Sequence, residues 1–118
     1  MLKHILALAI AGLIALSTLP AYASGPRVVV ILKAKPGSEQ KLLEDTKKWM
    51  VDVRKVPGLE HVDINVVNGD PSTLVLYYEW RSKDDEDAYR QSDLYKRAIA
   101  ALEPLVAERQ LIRATNAD

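Results

Sequence analysis

Two segments, RVVVILKAK (Arg27–Lys35) and TLVLYYEW (Thr73–Trp80), are apolar on both faces of an extended chain. In the first, Val28, Val30 and Leu32 alternate with Val29 and Ile31; in the second, Leu74, Leu76, Tyr78 and Trp80 alternate with Val75 and Tyr77. Strands of this kind need cover on both sides and belong in the middle of a sheet. By contrast, Leu59 to Val67 puts Val62, Ile64 and Val66 on one face and His61, Asp63 and Asn65 on the other, as a strand with one polar side does. Val106 to Thr115 reads as a fourth strand.

The stretches between the strands read as helices and turns. After Pro36-Gly37, Ser38 is placed to cap a helix whose Leu42, Leu43, Thr46, Trp49, Met50 and Val53 fall on one face. Pro57-Gly58 ends that helix, and Asn68-Gly69-Asp70-Pro71-Ser72 is a turn by composition. Ser82 with Asp85 forms a capping-box-like start, and Ser92 starts a second helix that Glu103-Pro104 breaks. The resulting order, β-α-β-β-α-β, predicts an α+β, ferredoxin-like fold with a four-stranded antiparallel sheet. Two helices cover one sheet face only, so a second copy packed sheet to sheet is expected, giving a homodimer.

The N-terminal segment reads as an address. Met1 to His4 gives a positive start, Ile5 to Leu16 is uninterrupted apolar sequence, and Ala21-Tyr22-Ala23 is an A-x-A cleavage signal. The apolar run falls well short of the roughly 20 residues a bilayer core requires, so no stable membrane anchor is expected. The expectation is a signal peptide over residues 1–23, cleavage near Ala23, and a secreted or periplasmic domain of residues 24–118. Cys is absent, which excludes disulfides, thiolate metal sites and lipid attachment at the cleavage point. Sixteen basic and 16 acidic residues cancel, leaving no basic footprint for nucleic acid.

The segments KAKPGSEQKLLEDTKKWMVDVRKVPGLEHVDI and TLVLYYEWRSKDDEDAYRQSDLYKRAIAAL resemble the antibiotic biosynthesis monooxygenase (ABM) domain family. The markers are K-P-G before the first helix, P-G-L before the second strand, and E-W-x-S followed by a short helix and S-D-L-Y. The resemblance implies a dimeric α/β barrel of ferredoxin-like subunits. Members include cofactor-independent monooxygenases acting on quinols and polycyclic phenols, haem-degrading enzymes, and proteins of unknown activity. No G-x-G-x-x-G, Cys or His pair is present, in keeping with chemistry that needs no cofactor. An electron-rich phenolate reduces O2 by itself once it is oriented and desolvated.

The resemblance also names candidate residues. Trp80 matches the strand-end tryptophan that lines the ligand cavity in related proteins; its other reading is a core indole. Tyr78 shares that face and either orients a phenol or packs, whereas Tyr77 reads as core. Leu94-Tyr95 stand where many quinol-oxidising relatives have histidine and phenylalanine, and Tyr89 where they have another histidine. Tyr95 can stand in for those histidines as a hydrogen-bond donor. The iron-ligating histidine of haem-degrading relatives falls on Ile99 and their first-strand asparagine near Val30, which disfavours haem cleavage. His61 and Asp63 are candidate general bases for a phenol, with Asn65 beside them as a substrate contact. They lack a third strong metal ligand, and no metal is expected. Asp84 to Asp87 read as helix-start charge. The leading expectation is oxidation of a planar phenolic substrate with O2; the alternative is a binding or sensing module that performs no chemistry.

Overall fold

The computed structural model describes residues 25–118, and the segment read as a signal peptide, residues 1–23, lies outside them. Strand β1 (Pro26–Ala34) leads to helix α1 (Glu39–Val53), then β2 (Leu59–Val67), β3 (Asp70–Trp80), helices α2 (Lys83–Gln91) and α3 (Asp93–Leu102), and β4 (Val106–Thr115). The sheet order is β2-β3-β1-β4 with every pairing antiparallel. The fold is ferredoxin-like, with the two doubly apolar strands as its central pair.

One face of the sheet meets the helices. Val28, Val30, Leu32 and Ala34 of β1 pack there with Leu74, Leu76, Tyr78 and Trp80 of β3, against Leu42, Met50 and Val53 of α1. Thr46 lies in the same helix face, its hydroxyl sealed and without a hydrogen-bond partner. Tyr77 departs from the expectation. It stands on the opposite face, half-buried, and its hydroxyl donates to Glu79 at 2.9 Å. With Tyr78 and Trp80 turned inward, the alternation of the strand leaves Tyr77 no other direction.

Local chemistry sets the entries and exits. Ser82 Oγ accepts from the Asp85 amide at 3.1 Å, and Ser92 Oγ from the Tyr95 amide at 3.2 Å, so both caps form. Ser38 occupies the cap position of α1 without a side-chain hydrogen bond; the Glu39 carboxylate accepts from the Gly37 amide instead. The turn between β2 and β3 is tighter than the composition suggested. Val67 already pairs with Asp70, and Gly69 takes φ +78°. The Asp70 carboxylate then accepts from the Ser72 and Thr73 hydroxyls, holding Pro71 in the irregular start of β3, where the register to β2 shifts. Gly58 has φ +83°, and a Cβ there would strike the Asp85 side chain; only glycine brings this loop against the start of α2.

Candidate functional site

Between the sheet and the helices lies a cavity of about 350 Å³, large enough for a fused-ring ligand. Its floor is Val28, Val30 and Leu76, and α1 adds Trp49 and Met50. The aromatic wall is a stack. Trp80 lies 5.3 Å from Tyr89 at 33°, and Tyr89 lies 5.2 Å from Tyr95, edge-on at 76°. Such tilted and edge-on pairs suit the ring quadrupoles and hold the wall stiff.

Trp80 answers both of its sequence readings. It is 1% exposed, hence core, and it also borders the cavity. Tyr78 lines the cavity from the sheet, buried, and burial pushes its hydroxyl far above the ordinary phenol range. The Tyr89 hydroxyl is pushed up to about 12, again chiefly by burial. Both hydroxyls therefore remain protonated donors across the neutral range. Tyr95 borders the cavity too, and its hydroxyl accepts from Arg109 Nη2 at 2.8 Å. Leu94 is half-buried against the core but is not part of the cavity wall.

His61, Asp63 and Asn65 lie elsewhere. In register they pair with Glu79, Tyr77 and Val75, the residues of β3 that point away from the helices. His61 Nε2 lies 2.9 Å from Asp63 Oδ2, and Asn65 Nδ2 donates to Asp63 Oδ1 at 2.6 Å. These hydrogen bonds, that from His61 first, hold the Asp63 carboxyl below its usual range. The sheet itself separates this row from the cavity, so these three cannot serve as bases for, or contacts to, a molecule bound there. Among the described residues no three His, Cys, Asp or Glu side chains converge as a metal site.

Several wall residues had no sequence signal pointing to them. Tyr89 was noted only for a histidine it replaces. Glu86, read as part of a helix-start charge run, is buried in the wall, and Arg90, Glu103, Glu108 and Arg109 ring its mouth. Trp49 was assigned to the buried face of α1 but not to a pocket.

Buried phenols make the fold sensitive to alkali. The folded state holds the Tyr78 and Tyr89 protons above pH 10, where an unfolded tyrosine loses its own. Stability is thus intact below pH 10 and falls as pH rises towards 12, by up to about 1.4 kcal/mol per pH unit for each group. Urea titrations at pH 9 and pH 11 measure this directly; equal midpoints would show that neither hydroxyl is shielded.

An aromatic-walled cavity between a four-stranded antiparallel sheet and its helices marks the chain as a ferredoxin-like α+β domain with a pocket. The family of antibiotic biosynthesis monooxygenases matches residues 27–101, and the chain belongs to that family. Solved structures share the fold. A candidate antibiotic biosynthesis monooxygenase from Nitrosomonas europaea is 20% identical, with a TM-score of 0.73 over 79% of this chain and 99% of its own. A Mycobacterium tuberculosis protein is 21% identical, with a TM-score of 0.73 over 80% of this chain and 97% of its own. A Bacteroides thetaiotaomicron protein of unknown function, described as a possible oxidoreductase, is 15% identical, with a TM-score of 0.73 over 80% and 99%. At these identities the likeness is one of fold. No curated protein matches the chain.

Proposed function

We propose that this protein is an exported, homodimeric monooxygenase that oxidises a quinol or other planar phenolic substrate with O2 and without a cofactor. The observation that carries the reading is the cavity of about 350 Å³ walled by Trp80, Tyr78, Tyr89 and Tyr95. Export rests on the N-terminal sequence pattern, and the dimer on the sheet face that the helices leave uncovered.

The chemistry asked of such a pocket is modest. An anthrol-type phenol, with a ring CH para to its hydroxyl, loses the hydroxyl proton and passes one electron to O2. The resulting aryloxyl radical and superoxide join at the ring carbon as a peroxide. Uptake of a proton and loss of water leave a carbonyl there: one oxygen atom stays on carbon, and the other departs as water with the ring hydrogen and the proton taken up. The protein contributes by stripping water from the ring, holding its plane against Trp80 and Tyr89, and offering the Tyr78 and Tyr89 hydroxyls to developing negative charge.

Oxygen uptake with a panel of hydroquinones and anthrols tests this. The protein is expected to accelerate uptake over the protein-free reaction, and Trp80→Ala to lose roughly 100-fold, as misplacing a bound ring by an ångström does. Rates equal to the protein-free reaction would sink the enzymatic reading. The second reading, binding without turnover, is favoured by the lack of any histidine in the cavity wall. Ligand-induced thermal shifts with no oxygen uptake would establish it.

A further inference from the structure

The cavity wall contains one buried carboxylate, Glu86, which is 3% exposed. Its α2 neighbours Asp84, Asp85 and Asp87 follow ordinary helix-start behaviour, two of them paired to Arg81 and Lys83 in solvent. Glu86 is different because β4 reaches across to it. Arg113 Nε donates to Glu86 Oε2 at 3.1 Å, and Arg90 Nη1 stands 3.8 Å from the same oxygen. Two guanidinium groups on one oxygen fix the orientation of the carboxylate. The other oxygen, Oε1, accepts nothing from the described residues, and it is not among the sealed, unpartnered atoms. Glu86 lines the cavity, so a ligand bound there can reach this oxygen where it opens on that side.

A buried acceptor without a donor is costly, and a ligand that supplies the donor recovers that cost. The cavity has further polar groups in the Tyr78 and Tyr89 hydroxyls, which make no hydrogen bond to the described residues and which burial keeps protonated. The remaining wall is apolar or aromatic apart from the charged ring at its mouth, where Arg109 is taken up by Tyr95. A ligand that satisfies this pocket therefore carries a hydroxyl at the edge facing α2 and an oxygen able to accept from Tyr78.

We propose that Glu86 is a specificity-determining residue: its Oε1 accepts the hydroxyl hydrogen of the bound aromatic, so the pocket selects free phenols over their ethers. The proposal rests on the aromatic-pocket reading above and is independent of whether turnover follows. Trp80 and Trp49 border the cavity and report occupancy through fluorescence quenching.

The test compares 1-naphthol with 1-methoxynaphthalene, which share a ring system and differ in the one hydrogen at issue. The unaltered protein is expected to bind the naphthol at least about tenfold more tightly, as sites built around a substrate hydroxyl do. Glu86→Gln, whose fold is checked by circular dichroism, is expected to shrink that preference several-fold. Equal affinities on the unaltered protein overturn the proposal, whatever the variant does; so does an undiminished preference in a folded Glu86→Gln. Binding of neither probe overturns the aromatic-pocket reading and this proposal together. A clear preference without oxygen uptake removes only the oxygenase reading.

Discussion

Trp80→Ala is expected to lower the stability of the folded chain by about 3–5 kcal/mol, the largest effect of any single truncation in this core. Trp80 is 1% exposed and is among the largest fully buried side chains. It ends the central strand β3, stacks on Tyr89, and sits where Gly25, Gly58 and the start of α2 converge. The Gly58 carbonyl accepts from the Arg81 amide at 2.8 Å, so the backbone beside the indole is already tied down and cannot collapse into the gap. A domain of this size has only about 5–15 kcal/mol in total, so the variant approaches the edge of folding. Urea unfolding followed by circular dichroism measures the loss. Trp80→Phe, which keeps a ring against Tyr89, should retain much of the stability and serves as the folded control for activity. A loss below about 1 kcal/mol for Trp80→Ala would show that the indole is loosely held and that the cavity wall is not rigid.

The second large effect concerns the other side of the sheet. Val29→Arg is expected to convert the proposed dimer into a folded monomer. Val29 lies in register between Tyr77 and Ile112, and Ile31 between Val75 and Gln110. These residues make an apolar centre, with Ile112 43% exposed in the single chain. Arg27, Glu79 and His61 bound it at one end, and Lys33 and Glu108 at the other. An apolar middle with a polar rim is the composition of a protein–protein interface. The face is open in the monomer, so a charge there costs the subunit little. At the centre of a sealed interface the same charge, left without a partner, costs about 3–5 kcal/mol and weakens association by about two to four orders of magnitude. Sedimentation or light scattering at micromolar concentration reads the result. A dimer that survives Val29→Arg would place the interface elsewhere.

What the sequence made legible, and what it hid, divides along the range of the interactions involved. The central strands declared themselves because burial on both faces leaves no polar position, and the hydroxyls of Ser82 and Ser92 announced their helices within three residues. The His61–Asp63–Asn65 hydrogen-bonded row was also readable, since alternate strand residues share a face. Which side of the sheet that row occupies was not. That depends on pairing with Tyr77 and Val75, ten or more residues away, and it removed the row from the cavity. Tyr77, read as core, needed no distant partner to place: the alternation that turns Tyr78 inward turns it to the other face. Glu86 was hidden most thoroughly. Its neighbours make it look like cap charge, and its hydrogen-bond donor, Arg113, stands 27 residues on. Long-range partners of charged groups leave no local pattern to read.

The central claim is that the cavity beside Trp80 inserts oxygen from O2 into a planar phenolic substrate. The most direct measurement is turnover of an anthrol-type substrate by the purified protein under 18O2, with the product analysed by mass spectrometry. The account predicts a new carbonyl carrying one 18O atom, formed faster than in the protein-free reaction. Unlabelled product, or labelled product formed no faster than without protein, would contradict it.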